Sequence, residues 1–201
     1  MSIIIVGATG SGKSSIGKLV SFKLNCEMLE IGNIVKDTYE SNKINFPSGV
    51  NCLSPIDIKK SRIKFAENMV KKYGKDYFVR LALKNNNLSE IVVVGPRTIS
   101  EILCIKELVP NPFFVGIKCD EVILEERFIN RETQQLNKFE AKELFKSRRN
   151  LEQEWGLDEV INTCDCIVYA DAYDIDTIAL QIIELYYNGK RKDIIRWLTQ
   201  F

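Results

Sequence analysis

Eight residues near the start of the chain, Gly7-Ala8-Thr9-Gly10-Ser11-Gly12-Lys13-Ser14, fit the spacing G-x-x-x-x-G-K-[ST]. Each position has a chemical reason. A loop that wraps a polyphosphate must point its backbone N–H groups inward, and Gly7, Gly10 and Gly12 permit that close approach. Lys13 can reach the outer phosphate oxygens as a point charge. The Ser14 hydroxyl can ligate Mg²⁺, and a helix starting near Lys13, with Ser15 in its first turn, adds its N-terminal dipole. The alternative is a chance glycine-rich turn. The flanking pattern argues against it, because an apolar strand precedes the loop and an amphipathic helix follows it.

The rest of the composition restricts what such a loop can be used for. The 201 residues contain no histidine. Histidine general bases, Ser-His-Asp and Cys-His pairs, histidine-ligated zinc and histidine pH switches are therefore excluded. Phosphoryl transfer survives that exclusion, since it depends on positioning and charge neutralisation more than on a nucleophilic side chain. Lys and Arg total 28 against 27 Asp and Glu, so no overall basic field draws the chain to nucleic acid or to an anionic membrane. Basic residues are locally concentrated: the window 127–149 holds seven, Arg127, Arg131, Lys138, Lys142, Lys146, Arg148 and Arg149, against Glu132, Glu140 and Glu143. A neutral chain with one basic segment points to a small anionic ligand, with a solvated helix pair as the plain alternative. Arg127 and Arg131 stand i, i+4, so both guanidinium forks can face one pocket. The six cysteines, Cys26, Cys52, Cys104, Cys119, Cys164 and Cys166, form no C-x-x-C pair and read as reduced, mostly buried thiols. With no signal-peptide pattern and no run of about 20 apolar residues, the expected location is the cytoplasm.

The elements that must hold these residues are legible as short apolar runs between helical patterns. Residues 2–6, 91–94 and 113–117 are continuous and apolar, 167–169 is shorter, and 27–31 is weaker. Continuous runs suit strands buried on both faces of a parallel sheet. Helical stripes occupy 13–24, 57–73, 121–129 and 175–187, and Asp120 reads as the N-cap of the third. This alternation predicts a doubly wound α/β sheet. Residues 41–56 and Asn85-Asn86-Asn87 read as loops, and the tail with Trp197, Leu198 and Phe201 as a final amphipathic helix. Arg97 follows the 91–94 strand, at the end where open α/β sheets bind ligands. A guanidinium there can clamp an acceptor phosphate, or pair on the surface with Glu101. Asn137-Lys138-Phe139-Glu140 comes near a guanine-reading N-K-x-D but ends in Glu, and Val94-Gly95 lacks the acidic strand end of motor-type ATPases.

Further landmarks resemble nucleoside monophosphate kinases and their relatives. Gly32-Asn33-Ile34-Val35-Lys36-Asp37 looks like the G-D-x-[VL]-R opening of a substrate helix. Val92-Val93-Val94-Gly95-Pro96-Arg97 looks like a strand ending D-G-x-P-R, and Gly95 to Glu101 follows G-x-R-x-x-x-E. Glu126 to Arg131 resembles the R-x-x-x-R that opens a lid, Arg148-Arg149-Asn150 falls where lid arginines lie, and Leu157 to Val168 resembles the approach to the last strand. The set is similar to adenylate-kinase-related, dephospho-CoA-kinase-like and phage deoxynucleoside monophosphate kinase families, to about residue 185.

That resemblance implies a three-layer P-loop NTPase fold with a mostly five-stranded parallel sheet. It implies one domain over 1–201, with a helical acceptor-binding insert at about 32–88 and a mobile lid at about 127–156. It implies ATP and Mg²⁺, a nucleotide-like phosphate acceptor, no nucleic-acid or membrane partner, and a monomer or homodimer. Lys13, Arg97, Arg127, Arg131 and Arg149 would be catalytic. Gly7, Ala8, Thr9, Gly10, Ser11, Gly12, Lys13, Ser14 and Ser15 would bind the nucleotide, with Ser14 on the metal. Lys36, Arg62, Arg80 and Arg97 would bind the acceptor, although a solvated helix face is the plain alternative for Arg62 and Arg80. The chain departs from the pattern at Asn33, Val94 and Asn150, where these families carry Asp, and at Lys36, where they carry Arg. Glu30 and Asp37 are candidate substitutes for the missing carboxylates. The departures keep open a second reading, a nucleotide-binding sensor or scaffold without turnover. A third is a phosphotransferase for a non-nucleotide metabolite such as shikimate.

Overall fold

The computed structural model describes residues 2–43, 54–84, 90–171 and 173–188. Cys52, Asn85 to Asn87 and the tail aromatic residues lie outside them, as does most of the 41–56 loop. Five strands form one parallel sheet in the order β2-β3-β1-β4-β5: β1 (Ser2–Gly7), β2 (Glu27–Glu30), β3 (Ile91–Val94), β4 (Pro112–Lys118) and β5 (Cys166–Tyr169). β1 is buried along its whole length, which explains its unbroken β-branched run. Its side chains alternate between two apolar layers. Ile4 and Val6 face one side with Val93 and Phe114, while Ile3 and Ile5 face the other with Val92, Val94 and Val115.

The second layer is closed by α1 (Lys13–Leu24) and α9 (Ile175–Tyr187), which pack on each other. The first is covered by α5 (Ile99–Leu108), α6 (Glu121–Glu132), α7 (Lys138–Glu154), α8 (Leu157–Asn162) and, from the stretch between β2 and β3, α2 (Ile31–Lys43), α3 (Pro55–Tyr73) and α4 (Tyr77–Leu83). This three-layer arrangement is the α/β fold expected from the sequence. Two boundaries differ. Ile31 is the first residue of α2, so β2 ends on Glu30 with no connecting loop. Asn137-Lys138-Phe139-Glu140 is a capping box: Glu140 N–H donates to Asn137 Oδ1 at 2.9 Å and Asn137 N–H to Glu140 Oε2 at 3.0 Å. The residues that approach a guanine-reading motif therefore start α7. Asp120 caps α6, its Oδ1 accepting from Val122 N–H at 2.8 Å. Among the described residues no helix is long and apolar enough to cross a membrane.

Candidate active site

Parallel pairing brings the C-terminal ends of β1, β3 and β2 to one edge of the sheet, and the chemistry-bearing residues gather there. The Gly7–Ser14 loop leaves β1 and enters α1 through Gly12, which caps the helix with φ +81°. Gly10 has φ +91°, and a Cβ there would collide with the Leu124 carbonyl of α6. Both backbone strain and space require glycine at that position. Ser11 Oγ is buried without a hydrogen-bond partner among the described residues, and Lys13 Nζ donates to Ala8 O at 3.1 Å. Burial lowers the Lys13 ammonium to a pKa of about 8; Glu152 opposes the shift, while Arg97 and Arg131 add to it. Ser15 is exposed in the first turn of α1.

Ser14 Oγ donates to Glu30 Oε1 at 2.6 Å, and Asn33 Nδ2 donates to the other Glu30 oxygen at 3.4 Å. Glu30 and Val94 are register partners across β2 and β3. Glu30, the candidate substitute for the carboxylate that Val94 lacks, thus stands one strand to the side of it. Val94 itself is fully buried in the apolar layer beneath α1, so close that a Cβ placed on Gly17 would collide with its side chain. Ser14 and Glu30 supply a hydroxyl and a carboxylate oxygen, the hard donors that suit Mg²⁺ beside a polyphosphate. Asp37 is exposed on α2 and does not reach this point.

Next to the loop lies a cavity of about 270 Å³, walled by α2, α3, the start of α5, and α6 with α7. Its apolar side includes Val35, Ile63, Phe78, Leu151 and Trp155, and its cations are Lys36, Lys59, Arg62, Lys75, Arg97, Arg131 and Arg148. Each of the three carboxylates on its wall has a partner within the protein. Glu30 holds Ser14. Glu101 accepts Arg97 N–H at 2.6 Å and Thr98 N–H at 2.9 Å in a capping box. Glu152 accepts Thr9 N–H and the Thr9 hydroxyl. Lys59 and Arg131 share Glu132 at 2.6 and 2.8 Å, and Arg62 approaches Glu40 at only 3.9 Å. The Nε atoms of Arg62, Arg97 and Arg148 are buried without a hydrogen-bond partner among the described residues. Such donors are costly to leave unmade, and an anion entering the cavity would meet all three. Burial, with Arg97 and Arg131 nearby, lowers the Arg148 guanidinium to a pKa of about 10, so it remains charged at neutral pH.

Lys36, Arg62, Arg97 and Arg131 therefore meet around one space beside the Lys13 loop. The structure separates Arg127 from them. Residues i and i+4 share a helix face, but their forks diverge. Arg131 turns toward Glu132, whereas Arg127 Nη2 donates to Ala170 O at 2.9 Å beyond β5. Arg149 also lies off the cavity, held between Glu121 at 2.9 Å and Glu152 at 3.1 Å. Its neighbour Arg148 occupies the wall instead, because successive helical residues point about 100° apart. Arg80 pairs with Asp76 at 2.6 Å on the far side of α4, and Asn150 is exposed. The Arg97 side chain does not pair with Glu101; it approaches Glu152 at 3.6 Å. Sequence reasoning missed Lys59 and Glu152. Only the i, i+3 spacing of Arg149 and Glu152 hinted at the latter.

The five free cysteines among the described residues are buried or half-buried, as their apolar neighbours implied. The sequence matches no protein-family model and no curated protein. The fold is shared with known structures. It resembles that of an uncharacterized protein from Eubacterium ventriosum, with TM-score 0.53 and 18% identity over 94% of this chain and 99% of that one. It resembles shikimate kinase from Aquifex aeolicus, with TM-score 0.51 and 19% identity over 92% and 95%. It also resembles shikimate kinase from Acinetobacter baumannii in complex with shikimate, with TM-score 0.52 and 14% identity over 95% of each chain. At these identities the likeness is one of architecture, and this chain has the α/β fold of P-loop kinases.

Proposed function

We propose that the protein is an ATP-dependent phosphotransferase acting on a small anionic acceptor of nucleotide or nucleotide-like type. The observation that carries this reading is the adjacency of two differently equipped spaces. A glycine-rich loop with Lys13 and the Ser14–Glu30 pair opens directly beside a cavity where the Nε atoms of Arg62, Arg97 and Arg148 have no hydrogen-bond partner among the described residues. The loop amides and Lys13 would hold the nucleotide phosphates. Ser14 and Glu30 would hold Mg²⁺, which supplies charge neutralisation for the phosphate oxygens when bound. Lys36, Arg62, Arg97 and Arg148 would orient the acceptor, and Arg131 would offset charge on the transferring group. The Phe78 and Trp155 wall offers an apolar surface for a ring. α6 and α7 form the lid in this reading, and the three helices after β2 form the acceptor insert.

Two alternatives follow from specific observations. The likeness to a shikimate kinase favours a hydroxy-acid acceptor in the same cavity. Val94 and Asn33, without carboxylates, favour a nucleotide sensor, although Glu30 on Ser14 weighs against it. ADP release with Mg²⁺ and a panel of nucleoside monophosphates, dephospho-CoA and shikimate separates these readings. Turnover on one acceptor, abolished by Lys13→Ala, is the expected result. ATP binding without turnover on any acceptor would sink the transferase reading in favour of the sensor.

A further inference from the structure

Glu152 is 2% exposed, yet it is a carboxylate standing at the meeting point of the loop and the acceptor cavity. Both of its oxygens accept from Thr9 N–H, at 3.1 and 3.0 Å, and one accepts from the Thr9 hydroxyl at 2.7 Å. Arg149 Nη1 donates to it at 3.1 Å and Arg97 Nε lies at 3.6 Å. These partners come from the glycine-rich loop, from the segment after β3, and from α7, with Arg97 contributing charge rather than a hydrogen bond. A group passing from nucleotide to acceptor must cross this corner, and it arrives with the same charge sign and the same demand for N–H donors. We propose that the Glu152 carboxylate occupies the seat of the transferring phosphoryl group, so that binding a nucleoside triphosphate and releasing α7 from the loop are one event.

The device rests on the phosphotransferase reading. Two desolvated anions a few ångströms apart repel strongly, so the carboxylate and a third phosphate exclude each other. Withdrawal of Glu152 frees Thr9 N–H and Arg97 for the incoming group. Arg149 keeps Glu121 as a partner, and Arg148, four residues before Glu152 on the same helix face, moves with it. A nucleoside diphosphate lacks the displacing group and leaves the contact in place.

Titration calorimetry of ATP and ADP, each with Mg²⁺, against wild type and Glu152→Gln tests this. The amide keeps the shape but removes the charge. ATP should bind the variant about tenfold more tightly, because the competent state no longer has to be released from an ion cluster. ADP affinity should change by less than about twofold on the same argument. Equal changes for both nucleotides, or weaker ATP binding, would overturn the proposal. If the variant does not fold, hydrogen exchange of the wild type decides. Amides of residues 148–156 should lose protection with a non-hydrolysable ATP analogue and keep it with ADP; retained protection with both overturns the proposal. A wild type that binds neither nucleotide overturns the phosphotransferase reading, and this device with it.

Discussion

Lys13 is held where its charge is costly. Burial lowers it to about 8 from an ordinary 10.5, despite Glu152 nearby. Between those two values the unfolded chain keeps this proton and the folded chain does not. For stability, the cost of the buried charge is therefore present below about pH 8 and is relieved as pH rises above it. Ligand binding runs the other way. A polyphosphate requires the ammonium form, so above pH 8 binding takes up a proton and weakens by up to about tenfold per pH unit. ATP dissociation constants measured at about pH 7 and about pH 9 should differ in the wild type and be nearly flat in Lys13→Ala. A flat wild-type profile would mean that Lys13 does not meet the phosphates.

At the scale of elements, α6 and α7 are joined through one ring. Phe128 is fully buried, 5.5 Å from the Phe145 ring, with Arg131 at 4.9 Å and Arg148 at 5.5 Å from its centroid. The two like-charged guanidinium groups are thus brought to the cavity wall by a shared aromatic surface, which attracts each by about 0.5–2 kcal/mol. Phe128→Ala should cost about 3–5 kcal/mol of stability through the cavity it leaves. Phe128→Leu should recover most of that packing, with a loss of less than about 1.5 kcal/mol. Leucine lacks the ring face, so the acceptor KM should stay raised in both variants. Denaturant unfolding and acceptor titration separate the two effects. A leucine variant with wild-type KM would show that the ring only fills space.

For the whole molecule, two buried carboxylates tie elements together: Glu132 joins α3 to α6 through Lys59, and Glu152 joins α7 to the glycine-rich loop through Thr9. Burial pushes the Glu132 carboxyl up, but the Lys59 hydrogen bond and Arg131 outweigh it and leave it below 4.5. For Glu152 burial also acts upward, and Arg97, Lys13 and Thr9 outweigh it. Both groups bind protons less readily when folded. Their stabilisation is present above the unfolded value of 4.5 and is lost as pH falls through the folded values. Glu101 acts oppositely, since burial raises its carboxyl. In Glu132→Gln, the melting temperature should be lower at neutral pH and should fall less steeply between about pH 5 and 3. A wild-type acid limb in that variant would remove Glu132 from the account.

Residues close in sequence determined much of this protein on their own. The loop spacing, the unbroken β-branched runs and the Asp120 cap depend on neighbours within a few positions, so the parallel sheet and the glycine-rich turn between β1 and α1 were legible without coordinates. Lys36, Arg97, Arg127, Arg131 and Arg149 were expected to converge, with Arg62 and Arg80 weighed against a solvated helix face, because strand ends and helix faces follow from local pattern; of these, Lys36, Arg62, Arg97 and Arg131 line the cavity. Which guanidinium faces inward was decided only by packing. Arg148 lines the cavity and Arg149 does not, and Arg127 is drawn to the Ala170 carbonyl 43 residues away in sequence. The same holds for Glu30 beside Ser14, placed by its register against Val94 across two strands, and for Glu152 on Thr9, 143 residues distant. Contacts of that separation leave no periodicity in the chain. They exist only once the sheet has aligned its strand ends and the helices have closed over them.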